Sequence, residues 1–126
     1  MMKKTTVFVI GAAVFVVLAL SFLVFQLIKT PEVGAFRVQE YQWELETFSS
    51  TSDVGELDTP QKAMKQAKAL WREKGFEPAT KQIEIAYDQE AECWHVYNKP
   101  KADTVGGVAH AIIEKDGSVL AIWCED

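Results

Sequence analysis

The chain has 126 residues, of which 48% are hydrophobic, and a net charge of −5. That size leaves room for one modest core, and the acidic balance argues against nucleic-acid binding, because an acidic exterior repels phosphate chains and anionic lipid alike. The same balance favours a basic partner.

The first expected element is membrane-spanning. Thr5 to Ile28, TTVFVIGAAVFVVLALSFLVFQLI, is uncharged and follows Lys3 and Lys4. As a helix it would reach about 36 Å, enough to cross a bilayer. The lysines before it and the sparse basic charge after it, Lys29 followed by Glu32, predict a single-pass anchor at the cell membrane. The amino terminus would be cytoplasmic and the remainder extracytoplasmic. Lipid contact is expected through residues 5–28. A cleaved signal peptide is the competing reading, since Val33-Gly34-Ala35 offers small residues, but the apolar run exceeds the usual length of such a segment.

Residues 31–58 read as a juxtamembrane segment and polar linker. Phe36, Tyr41 and Trp43 are placed to rest at a lipid interface. Tyr41, Trp43 and Leu45 alternate as in a strand, while Val38, Tyr41, Leu45 and Phe48 fit a helical stripe, so periodicity leaves 36–48 undecided, with composition leaning towards helix. SSTSDVGELD reads as a linker. Seven acids and one base, Arg37, fall in 31–58.

Residues 59–126 read as the folded domain. Thr59 can cap a helix that begins at Pro60, and Ala63, Met64, Ala67, Leu70 and Trp71 recur at helical spacing before Gly75 ends it. Its flanks carry Lys62, Lys65, Lys68 and Arg72, a basic helix on an acidic body. The period then changes to two. Strands are predicted over Gln82–Tyr87, Cys93–Tyr97, Val105–Glu114 and Val119–Cys124, with a turn at Asp88-Gln89-Glu90, a loop at Asn98–Thr104 and an Asp116-Gly117 hairpin. The expected fold class is α+β: one amphipathic helix packed on a three- to four-stranded antiparallel sheet, plus the transmembrane helix. Trp71 and Trp94 read as core anchors.

The residues with chemical potential are few. Cys93, His95, His110 and Cys124 have the side chains of a zinc site but not its spacing, so no metal, catalytic or cofactor site is expected. If Trp94, Val96, Leu120 and Ile122 point inward, Cys93 faces out and Cys124 in, which sets strand geometry against the Cys93–Cys124 disulfide that an oxidising location would permit.

From Thr59 to Trp123 the chain resembles the NTF2-fold immunity protein domain of bacterial toxin systems. The likeness rests on the Thr59–Gly75 helix, Trp94-His95-Val96, Gly106-Gly107-Val108-Ala109, Ile113-Glu114-Lys115-Asp116-Gly117 and Val119-Leu120-Ala121-Ile122. It implies an NTF2- or cystatin-like fold and a non-enzymatic membrane-anchored immunity protein that binds and neutralises a cognate toxin, with a basic toxin as the expected partner. Glu90, Glu92, Lys99, Lys101 and Asp103 are the candidate contacts. A PepSY-like regulator of a protease or envelope process is the alternative, and a metal- or thiol-dependent enzyme the third reading.

Overall fold

The computed structural model describes residues 31–78, 82–99 and 107–125. Pro31–Asp126 forms one compact unit. Its elements are β1 (Val33–Ala35), a 3-10 turn (Val38–Tyr41), α1 (Gln42–Thr47), α2 (Pro60–Glu73), β2 (Ile83–Asp88), β3 (Cys93–Asn98), β4 (Val108–Glu114) and β5 (Val119–Glu125). The strands make one sheet in the order β1-β2-β3-β4-β5. The last four form the antiparallel meander that the alternating pattern predicts. β1 lies parallel to β2, with Val33 opposite Ile85.

The expected fold class therefore needs correction: the sheet has five strands and is mixed, and there are two helices rather than one. The expected membrane-spanning helix, and the single-pass localisation built on it, are also withdrawn. Among the described residues no helix is long and apolar enough to cross a membrane. The stretch Thr5–Ile28 lies outside the described residues.

α2 forms as its sequence dictates. Thr59 Oγ1 accepts the Lys62 amide at 3.2 Å, Pro60 occupies the first turn, and Gly75 leaves the helix at φ 74°. Ala63, Ala67, Leu70 and Trp71 are buried on one face of the sheet against Ile85, Trp94, Val96, Ala109, Ala111, Ile113, Val119 and Ile122. The two small alanines let the helix approach closely, while Trp71 fills the remaining space. Trp94 donates its indole N–H to the Leu57 carbonyl at 3.0 Å. Asn98, fully buried, bonds the backbone of Gly107 and Ala109 and so ties the end of β3 to the start of β4.

The opposite face of the sheet is also covered. Cys93, Ile112, Ala121 and Trp123 are buried there beneath Phe36, Val38, Tyr41, Leu45 and Phe48. The helical reading of 36–48 is thus the one realised, and its apolar stripe is a second layer of the domain. Phe36 and Tyr41 lie within this layer, and Trp43 is the one large aromatic among them left exposed. A six-residue helix has no independent stability. Burial of large apolar side chains, worth about 1.5–3 kcal/mol each, is what holds it. Asp88 adds a latch: one carboxylate oxygen accepts the Val38 amide at 2.9 Å, and the other accepts the amides of Glu90 and Ala91.

The stretch read as a polar linker runs along β5. Ser49 bridges Ala121 and Asp53 bridges Ser118, and the amides of Val54 and Leu57 bond the carbonyls of Gly117 and Lys115. Leu57 is buried in the α2-facing core. Gly117, at φ 104°, meets the Gly55 backbone so closely that a Cβ would overlap the Gly55 carbonyl. A register shift at Ile112/Ile113 sets Ile113 opposite Val119 and Ile112 opposite Ala121. Leu120 is consequently the extra residue on its strand, and it packs with the second face while Ile122 packs with the first. The expectation that Leu120 and Ile122 share a face fails for this reason.

Candidate functional site

Strand alternation places Cys93, His95 and Tyr97 on the second face, and His110 joins them from β4. His110 sits opposite Tyr97, so His95 is its diagonal neighbour. The two imidazoles meet directly, with His95 Nε2 2.9 Å from His110 Nδ1. Their rings lie in an aromatic stack. His110 is 4.5 Å from Trp123 at an interplanar angle of 5°, and Trp123 stacks in turn on Phe48. Tyr41 and Phe36 close over His95 at 4.8 and 5.2 Å.

Burial fixes the charge state of the pair. Desolvation pushes His95 down to about 3, with the neighbouring His110 acting in the same direction. His110 is also lowered by burial, although the carboxylates of Glu125 and Glu44 pull it the other way. Two neutral imidazoles can share one N–H, which two imidazolium ions cannot. Tyr97 donates its hydroxyl to Glu84 Oε2 at 2.6 Å, and burial plus that carboxylate push the phenol up to about 12.

The four residues with zinc-ligand chemistry do not converge. Among the described residues no group of three or more His, Cys, Asp and Glu side chains could hold a metal ion. Cys93 packs in the second-face cluster and Cys124 against the α2-facing one, so the two lie on opposite faces of the sheet and no Cys93–Cys124 disulfide is formed. Burial, then the charges of Asp88 and Glu114, push the Cys93 thiol up to about 12, far from a reactive thiolate.

The candidate contact residues are dispersed. Glu90 and Glu92 lie in the turn before β3, where Glu92 adopts φ 50°. Lys99 follows the end of β3, a strand length of about 20 Å away, and its Nζ lies 3.4 Å from Glu84. Lys101 and Asp103 lie outside the described residues.

A different surface draws its parts together. Trp43 is 65% exposed on α1, supported underneath by an edge contact to Phe48 at 5.7 Å. Glu46 follows it by three residues on α1, Glu44 lies beside it in sequence, and Glu40 is exposed on the 3-10 turn that precedes the helix. With Tyr41, Leu45 and Phe48 committed to the layer below, Trp43, Glu40 and Glu46 are exposed, while Glu44 is half-buried. The sequence pattern alone places Trp43 at a lipid interface. Glu125, at the end of β5, extends the acidic surface: its Oε2 lies 3.5 Å from His110 Nε2.

No family model, curated protein or solved structure matches this chain.

Proposed function

We propose that the chain is a non-enzymatic binding domain that docks a basic protein on the α1 surface. In the reading that the immunity-domain resemblance suggests, that protein is a bacterial toxin which the chain neutralises by occlusion. The observation that carries this is Trp43: a large aromatic held out by a packed support and bordered by Glu40, Glu44 and Glu46. Tryptophan is among the side chains that most often dominate binding energy, and surrounding carboxylates accelerate encounter with a cationic partner. The positions of His95, His110 and Cys93 suit this reading, since each is spent on the packing that supports the surface.

The test uses the full-length chain as bait in lysates of the bacterium that carries it and of its competitors. A basic protein retained at low salt, released as salt rises, and bound about 30-fold more weakly by Trp43→Ala supports the proposal. Co-expression of the chain should protect cells from that protein. Capture equal for Trp43→Ala and the parent, or capture of envelope polymers alone, refutes it.

A further inference from the structure

The two faces of the sheet are covered unequally. α2 buries Ala63, Ala67, Leu70 and Trp71 on the first face, whereas no residue of the turn at Val38–Tyr41 or of α1 is fully buried. Among the described residues, the main chain of 38–48 bonds the sheet only at its two ends: Val38 donates to the Asp88 carboxylate, and the Phe48 carbonyl accepts the Ile122 amide at 3.3 Å. Beyond those ends the chain is anchored, by the pairing of β1 with β2 on one side and by the Ser49 bridge to Ala121 on the other. The segment is thus a thin cover, tethered at both margins and held down between them by side-chain contact. Elements with few buried contacts are those that open at a lower free energy than global unfolding.

Beneath this cover lies the His95–His110 pair, 2% and 8% exposed. The groups facing the two rings are Phe36, Tyr41 and Glu44 from the cover, Tyr97 from β3, and Trp123 and Glu125 from β5. Glu125 is the ion-pair partner of His110 and, with Glu44, favours a charge there, so His110 takes the first proton. An imidazolium at 110 can still donate to a neutral His95, and the 2.9 Å contact survives. The second proton ends it, because both facing nitrogens then carry hydrogen. His95 is enclosed by rings, so a charge on it needs water, which enters as the cover lifts.

We propose that residues 36–48 form an acid-released cover, which lifts from the sheet as His95 and His110 take up protons while α2 and the meander stay folded. Trp43 rides on this segment, so opening also dismantles the α1 surface. That consequence rests on the docking reading; the opening does not. Once wetted, His95 titrates near its ordinary 6.5, which favours opening about thirtyfold at about pH 5 over about pH 7.5.

The test is amide hydrogen exchange of the full-length chain, corrected for intrinsic rates, at about pH 7.5 and about pH 5 and in low urea. The Val38 and Phe48 amides should lose protection about thirtyfold on acidification and exchange faster than α2 amides such as that of Trp71. Their exchange should respond little to urea, because lifting the cover exposes far less surface than unfolding. His95→Phe should remove most of the pH dependence. Cys93, packed beneath the cover, gives a second reading on the parent chain. Its capture by dithiodipyridine, which reacts with thiols in acid, should rise by a similar factor relative to a denatured control, with the label located by peptide mass. Cover and α2 amides that exchange at one rate with one urea slope overturn the proposal, and so does cover protection that stays level between the two pH values. Acid-dependent opening together with partner capture unaffected by Trp43→Ala upholds the cover and refutes the docking reading. Level protection together with capture lost in Trp43→Ala refutes the cover and leaves docking intact.

Discussion

Mild acid should destabilise this protein well before its carboxylates titrate. The sign follows from linkage: an imidazole held below its ordinary 6.5 in the folded state binds its proton more readily in the unfolded chain. His95 contributes no penalty above 6.5, and its destabilising effect grows as pH falls from there until the folded value of about 3 is reached. From neutral pH down to about pH 5 the window spans about 1.5 units, and at about 1.36 kcal/mol per unit this amounts to about 2 kcal/mol. His110 is lowered too and adds in the same direction. Against a total of about 5–15 kcal/mol for a domain, such a loss is large. The groups around the pair, Tyr41, Tyr97, Cys93, Glu44 and Glu125, do not reverse this sign, since burial outweighs the carboxylates at His110. Asp58, Glu84 and Asp88 have lowered values, so their contributions are lost only as pH falls below the ordinary carboxylate range. Urea midpoints measured across this range on the full-length chain should therefore decline steadily with pH. His95→Phe keeps a planar ring against Tyr41 and Phe36 and should reduce the slope by about one proton. A stability that stays flat to about pH 5, or rises, would refute the claim that these imidazoles are buried and neutral.

Three further outcomes follow from other contacts. Gly117→Ala forces a side chain into the Gly55 carbonyl at a positive φ, and should cost more than about 2 kcal/mol in urea unfolding; a variant as stable as the parent would contradict the close approach. Asp88→Ala leaves the amides of Val38, Glu90 and Ala91 without their acceptor, so their hydrogen exchange should quicken by at least about tenfold while α2 amides are spared. Cys93 should resist iodoacetamide at about pH 8 in the native protein and react once denaturant is added. Native labelling at the rate of a small thiol would show that its burial is wrong.

The helix from Thr59 to Gly75 and the four-strand meander were legible because each follows from a local period and a local stop: a capping threonine, Pro60, alternating apolar residues, and Gly117 in the hairpin. What escaped was the second layer. Its stripe, Val38, Tyr41, Leu45 and Phe48, is visible in sequence, but short segments satisfy strand and helix spacing equally, and only the buried face beneath decides between them. That face, in turn, did not look buried. Its residues on β3 are Cys93, His95 and Tyr97, polar enough to read as solvent-facing, and their burial depends on the pairing of His95 with His110 and of Tyr97 with Glu84. β1 is three residues long and gains its partner, β2, from about 50 positions downstream, too little pattern for periodicity to register. The bulge at Leu120 is likewise invisible locally, because one added residue changes facing without changing composition.

The stretch 49–57 gives the sheet asymmetric margins. Along β5, Ser49, Ser50, Ser52, Asp53, Val54 and Leu57 occupy main-chain positions that another molecule's strand would need, so elongation there requires first peeling that segment away. On the opposite border, among the described residues, the three of β1 form the edge, just after Pro31, which has no amide hydrogen to donate. Runaway stacking into fibrils is thus obstructed at both ends by chain that looks, from its composition, like mere spacer.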